Sequence, residues 1–379
     1  MADRTVRSTV RGRLVLDDAV VPGRIEIEDG WIVAVEPDEV ERGAPYLAPG
    51  FVDLHVHGWG GHDAMGPPAA LDGMARALLR RGVTSFLPTA LTAPLAALAE
   101  FAERVRGWIP VAPPDGATPL GYNLEGPFLA PTRKGAQNPA FLRTPADVRL
   151  ADLEPVLDGL RVITIAPELP GALELIAALR AHGVAVSLGH SAATFDQGRA
   201  GYAAGASATT HLFNAMSGVD HHAPGLAVAA LTDDQAWVEL IADGQHVHPA
   251  LWPIIVRAKP ADRLVLVSDA LAPAGTGDGR AVVGGLEVEV RGERCTLVGT
   301  TTLAGSVIAL DTAVRNLARS GVPLPAAVAA ASRNPLGLIG LADRGRLAVG
   351  LRADLVELDD ELRVRRVARA GRWVAVGRT

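Results

Sequence analysis

Asp53-Leu54-His55-Val56-His57 closes the apolar run Tyr46-Leu47-Ala48-Pro49-Gly50-Phe51-Val52 and runs straight into Gly58, Gly60 and Gly61. Side chains at i, i+2 and i+4 of a strand point to one side. Asp53, His55 and His57 therefore share a face where a strand gives way to a glycine-rich loop. Two imidazoles held together this way can bind a divalent transition metal, zinc being the commonest case. An HxH pair on its own is equally a polar strand face or a pair of hydrogen-bonded histidines. The other ligands have to come from elsewhere in the chain.

Working outward from that strand, the middle of the chain repeats apolar strand, polar loop and Ala/Leu-rich helix. Eight strands are expected: Phe51–His57, Val83–Thr89, Leu120–Glu125, Val162–Glu168, Val184–His190, Ala208–Phe213, Trp237–Asp243 and Leu264–Asp269. Helices fall between most of them, for example Ala69–Arg81, Leu95–Trp108, Gly171–His182 and Leu251–Ala258. Alternation of this kind over eight units predicts a parallel sheet closed as a (β/α)₈ TIM-type barrel. A hairpin, Val282–Val290 with Cys295–Val298, interrupts the pattern after the eighth strand, and helices at about Ser306–Ser320 and Pro325–Ser332 follow.

The two chain ends read differently. Arg13–Leu16, Arg24–Glu28 and Trp31–Val35 are short strands, with Asp29-Gly30 as a hairpin turn. Ala353–Leu358, Leu362–Val367 and Arg372–Val376 are strands too. Residues 1–49 and 346–379 are thus expected to join in one small β-sandwich domain, flanking a catalytic barrel at 50–345.

In such barrels chemistry occurs at the C-terminal ends of the strands. The first strand ends in His55 and His57, the third in Glu125 and the fourth in Glu168. His190, His211, Asp243 and Asp269 lie at or near the ends of the fifth to eighth. A single buried histidine is usually satisfied by a backbone carbonyl. Histidines at three strand ends, joined by carboxylates that follow apolar runs, need another explanation. An unpaired Asp269 behind Leu264-Val265-Leu266-Val267 would cost several kcal/mol, and a metal cluster removes that cost. His182, His62 and His248 read as surface or loop residues, and His221 and His222 lie in a loop just after the His211 strand.

Composition narrows the alternatives. The 379 residues are 49% hydrophobic, enough for a large core, and the formal net charge of −6 is scattered rather than blocked. That excludes a nucleic-acid-binding footprint. Cys295 is the only cysteine, which rules out a disulfide framework and a thiolate cage. It reads as a small apolar filler. Met1–Val6 lacks a signal-peptide core and no apolar run is long enough for a transmembrane helix, so a cytoplasmic protein without membrane contact is expected.

Several stretches resemble the amidohydrolase superfamily, and more specifically its N-acetylglucosamine-6-phosphate deacetylase branch. They are Pro49–Gly58, Asn123-Leu124-Glu125-Gly126-Pro127-Phe128-Leu129, Lys134-Gly135-Ala136 and Gly189-His190-Ser191. Further along come His211-Leu212-Phe213-Asn214-Ala215-Met216, Asp243-Gly244-Gln245-His246, Ser268-Asp269-Ala270 and Leu303-Ala304-Gly305-Ser306. The resemblance implies one or two divalent ions. Glu125, His190 and His211 would hold the first, and His55 and His57 a second, with Glu125 bridging. Zinc is favoured, with iron, manganese and cobalt as alternatives. It also implies Asp269 as general base and acid, releasing acetate from an N-acetyl amino sugar phosphate in a homodimer. Ala136, Gln137, Asn214, Ala215, His222, Asp243, His246, Leu303, Ala304 and Gly305 would contact that substrate.

Two positions depart from the branch. Gln137 stands where a histidine is usual, and His222 stands where an arginine reaches the phosphate of a neighbouring subunit. Both lie in the substrate shell. They keep open a second reading, deacylation of an unphosphorylated or differently substituted N-acyl amino sugar. A non-catalytic binding protein on the same fold is a third.

Overall fold

The computed structural model describes residues 6–375; Met1–Thr5 and Val376, the end of the last expected strand, lie outside them. Eight parallel strands wind in chain order around the barrel: Phe51–Val56, Val83–Ala90, Tyr122–Glu125, Leu160–Ile165, Ala185–Leu188, Ala208–Thr209, Trp237–Leu240 and Leu264–Leu266. The ring is completed between the first and last by single hydrogen bonds. The Asp269 amide donates to the His55 carbonyl (2.8 Å), and the His57 amide to that of Ala270 (2.9 Å). Barrel closure and the candidate site thus share residues.

Most strands stop several residues before the expected end. The fifth, sixth and eighth break just ahead of His190, His211 and Asp269, which adopt φ of 46°, 28° and 48°. Left-handed backbone cannot continue a strand and costs an L-residue roughly 1–2 kcal/mol. Its effect is to swing these side chains inward over the barrel mouth.

The helices form for ordinary amphipathic reasons. Leu95–Trp108 buries Leu98, Phe101, Ala102, Val105 and Trp108, the spacing of one helix face. Phe101 meets Tyr122 of the third strand edge-on at 5.6 Å between ring centroids. Phe101→Ala would cost about 3–5 kcal/mol. The later helices are Leu310–Arg319 and Leu324–Ala330, followed by Arg333–Leu338, which the sequence pattern had not distinguished.

Both chain ends enter one seven-stranded sheet. Its order is Arg372–Ala375, Val364–Arg369, Leu355–Leu358, Tyr46–Pro49, Arg7–Val15, Val20–Glu28, Trp31–Pro37. Asp29 and Gly30 form the expected turn with φ of 49° and 87°. The sheet folds over so that Gly30 packs on Ala370 and Gly371, enclosing Val10, Leu14, Ile25, Leu355 and Ala368 in a sandwich-like core. The insertion after the eighth barrel strand is a three-stranded antiparallel sheet, Gly279–Val283, Leu286–Arg291 and Arg294–Leu297, one strand more than the hairpin expected. Buried Cys295 packs there with Leu271, Val288 and Ala304.

Candidate active site

Four imidazoles and two carboxylates meet at the C-terminal mouth of the barrel, all buried: His55, His57, Glu125, His190, His211 and Asp269. His190 Nε2 and His211 Nε2 each lie 2.9 Å from Glu125 Oε1 and 3.1 Å from each other. His55 Nε2 and His57 Nε2 are 3.2 Å apart, and His57 Nε2 is 3.2 Å from Glu125 Oε2. Two triads result, His55–His57–Glu125 and Glu125–His190–His211, each with its ligand atoms within 4.8 Å of one another. Glu125 belongs to both.

The opposite ring nitrogens decide what this cluster fits. His57 Nδ1 bonds the Thr89 carbonyl at 3.1 Å and His190 Nδ1 the Arg133 carbonyl at 2.9 Å. His55 Nδ1 bonds Glu239 Oε2 at 3.1 Å. Backbone carbonyls accept only, so His57 and His190 carry a proton on Nδ1, and in the neutral ring the Nε2 lone pair points into the cluster. In the neutral rings the Nε2 lone pairs of His55 and His57 face one another at 3.2 Å and repel unless a cation lies between them. Nδ1 held by an outer acceptor and Nε2 turned inward is how metal-binding histidines are oriented. The residues present fit a divalent metal ion.

Burial alone would push the Glu125 carboxyl up. When the imidazoles are protonated, the charges of His190 and His55 and hydrogen bonds from His190 and His211 hold it well below the ordinary carboxylate range. Asp269 is likewise pushed up by burial and, when His55 and His57 are protonated, drawn down by the His55 charge and a hydrogen bond from His57, for a net lowering. Asp53 differs. Its Oδ1 accepts from the backbone amides of His55 and Ser268, and burial raises its pKa to about 6.

Above the cluster opens a cavity of about 420 Å³. Of the expected substrate contacts, Ala136, Gln137, Asn214, Ala215, His246, Leu303, Ala304 and Gly305 line it. Gln137 is clamped: its Oε1 accepts from the Thr92 amide at 2.9 Å and its amide nitrogen donates to Glu125 Oε2. His246 Nδ1 bonds Asp243 Oδ2 at 2.7 Å, which places Asp243 behind the lining as the support of His246. The pKa of His246 is raised, the Asp243 bond and charge outweighing burial. Gly305 is needed for its size and its φ of 52°, since a Cβ there would lie 2.6 Å from the Asp269 carbonyl oxygen.

Two expected residues lie elsewhere. His222 is exposed, its ring centroid 3.9 Å from that of His221 with the planes tilted by 41°, in a loop that does not line the cavity of its own chain. Glu168 is beyond the fourth strand, where it accepts from the Ser191 hydroxyl at 2.7 Å. The sequence pattern does not mark Arg133, Thr301 and Thr302 or the apolar Val283 and Val288 of the three-stranded insertion, all of which line the cavity. It also missed Glu239 behind His55. A lone carboxylate inside Trp237-Val238-Glu239-Leu240-Ile241 was a usable signal for the last.

Residues 46–374 match the model of the amidohydrolase family. N-acetylgalactosamine-6-phosphate deacetylase of Escherichia coli O157:H7 is 42% identical over 360 residues, spanning 91% of this chain and 92% of its own length. N-acetylglucosamine-6-phosphate deacetylase of Bos taurus is 40% identical over 384 residues, with 96% and 90% covered. Among solved structures, a mutant N-acetyl-D-glucosamine-6-phosphate deacetylase from Mycobacterium smegmatis, in complex with N-acetyl-D-glucosamine-6-phosphate, superposes with a TM-score of 0.90. It is 36% identical, with 97% of this chain and 99% of that one covered. The Thermotoga maritima N-acetylglucosamine-6-phosphate deacetylase also gives 0.90, at 34% identity over 98% of this chain and all of its own. This chain belongs to the amidohydrolase family, on the branch of its N-acetylhexosamine-6-phosphate deacetylases.

Proposed function

We propose that this chain hydrolyses the acetamide of N-acetylglucosamine 6-phosphate, giving acetate and glucosamine 6-phosphate. The observation that carries the reading is Asp269 Oδ1, 3.2 Å from His57 Nε2 at the edge of paired metal-type triads on a sugar-sized cavity. Glu125, His190 and His211 would hold one ion, and His55 and His57 with Glu125 a second. Zinc is the favoured metal, ahead of iron, manganese and cobalt. Such ions, when bound, lower the pKa of water and polarise a carbonyl.

The chain's own residues supply the rest. Asp269, held ionised by its surroundings, takes the proton of the attacking water and passes it to the departing nitrogen. Gln137 spends one amide hydrogen on Glu125 and has a second for the acetamide carbonyl. His246, braced by Asp243, and the Asn214-Ala215 backbone would take the phosphate. Leu303-Ala304-Gly305 would close over the sugar. His222 could meet a phosphate only in the cavity of a partner subunit, which fits a homodimer. Among the described residues no helix is long and apolar enough to cross a membrane. We assign the chain to the cytoplasm, with a catalytic barrel at 50–345 and a small domain from 1–49 and 346–379.

A second reading, the galactosamine epimer of the same substrate, is favoured by the relative at 42% identity. The test is direct. Metal-supplied protein is given each N-acetylhexosamine 6-phosphate, and acetate and primary amine are measured together. One acetate per amine supports the proposal, and release from neither sugar ends it.

A further inference from the structure

Glu239 has no part in the chemistry described so far, yet it is placed at the centre of the cluster's support. It lies in the seventh barrel strand, Trp237–Leu240, and is 1% exposed. Its Oε2 accepts from His55 Nδ1 at 3.1 Å and from the His211 backbone amide at 3.2 Å. Its own carbonyl accepts from the Leu212 amide at 2.8 Å. One carboxylate oxygen thereby touches a member of each triad, and the residue as a whole anchors the left-handed turn at His211. Its other oxygen, Oε1, is buried without a protein partner.

A buried carboxylate half without partners is expensive. A glutamine would fill the same space without the charge. Glu239 lies directly behind His55, so a cation in front of that ring is the group positioned to offset the charge. A carboxylate on the far nitrogen fixes the tautomer and raises the basicity of a ligating imidazole. His57 and His190 have neutral carbonyls in that place. The asymmetry sets His55 apart from the other ligands.

We propose that Glu239 is the positioning residue of the second metal site: it locks His55 with Nε2 facing inward and sets the affinity of the ion held by His55, His57 and Glu125, while leaving the ion at Glu125, His190 and His211 largely unaffected. The inference rests on the metal reading given above.

Glu239→Gln tests it, because an amide oxygen at the Oε2 position can still accept both N–H groups while the charge is lost. Metal-stripped protein is titrated with Zn²⁺ alone, and bound zinc is counted after desalting. The wild type is expected to take two ions. Glu239→Gln should keep the tighter one within about twofold and bind the second about 10–100-fold more weakly, the usual cost of losing such a partner. Adding Glu239→Gln to His55→Ala should then weaken the second ion no further. Equal affinity for both ions in Glu239→Gln and wild type overturns the proposal, as does equal weakening of both. A wild type that binds one ion overturns it as well, while one that binds none refutes the metal reading itself. A measurement independent of that variant is the imidazole N–H spectrum of zinc-loaded, ¹⁵N-histidine-labelled wild type. It should hold a slowly exchanging Nδ1–H signal that only His55→Ala removes, and its absence overturns the proposal too.

Discussion

His57 Nε2 stands 3.2 Å from Asp269 Oδ1, so the first and eighth barrel strands meet through the two groups closest to the proposed proton transfer. Asp269→Asn keeps the shape and can still accept a hydrogen bond, but it cannot shuttle a proton. We expect kcat to fall roughly 10²–10⁴-fold with KM little changed. Near-normal turnover would remove Asp269 from the reaction. The carboxyl is held below its ordinary range, and a base works only when ionised. Its loss should therefore appear as pH falls below about 4, the ordinary aspartate value. A kcat profile in which Asp269→Asn abolishes an acid limb near pH 7 would contradict this assignment.

The triads predict how metal is lost. Glu125→Ala or His190→Ala should strip the tighter ion and abolish activity, whereas His55→Ala should weaken chiefly the second. Elemental analysis of untagged, metal-supplied protein checks this. A wild type that never saw chelator and carries no transition metal would refute the site.

Asp53 gives a prediction about stability. Burial raises its pKa from 3.8 to about 6, with Ser268 and His55 hydrogen bonds opposing. The folded chain thus keeps this proton to higher pH than the unfolded chain does. The favourable contribution is complete below about pH 4 and is lost as pH rises to about 6. In metal-free protein, Asp53→Asn should therefore gain on the wild type across that window, by roughly 3 kcal/mol at most. Urea unfolding at a series of pH values measures it. A gap independent of pH would mean that Asp53 is not buried as an acid.

Much of this is legible in the sequence. The alternation Asp53-Leu54-His55-Val56-His57 gave the first strand and its histidine pair, and apolar runs ending in His or acid located the other ligands. The reading overran the strands at His190, His211 and Asp269 because positive φ at a non-glycine residue leaves no mark in hydrophobic periodicity. The same geometry brings those side chains together. A pattern built on strand ends does not mark Glu239, although a carboxylate in mid-strand is as costly to bury as one at the end. Thr301 and Thr302 reach the cavity from a loop, where no periodic pattern exists to betray them.

His222 tests the subunit arrangement. In the homodimer proposed above, His222, exposed and off the cavity of its own chain, would meet phosphate across the interface. His222→Arg should strengthen the preference for phosphorylated substrate by about 1–2 kcal/mol, the gain of a charge-assisted bidentate pair. The ratio of kcat/KM values with and without phosphate reads this out. An unchanged ratio would place the loop away from every substrate site.

The most direct measurement is kcat/KM for acetate release from N-acetylglucosamine 6-phosphate, beside the same sugar without its phosphate, using one zinc-loaded preparation. The account predicts turnover of the phosphorylated sugar and a clear preference for it over the free sugar, with activity lost on chelation and restored by metal. Equal rates on both sugars, or turnover of neither, would contradict it.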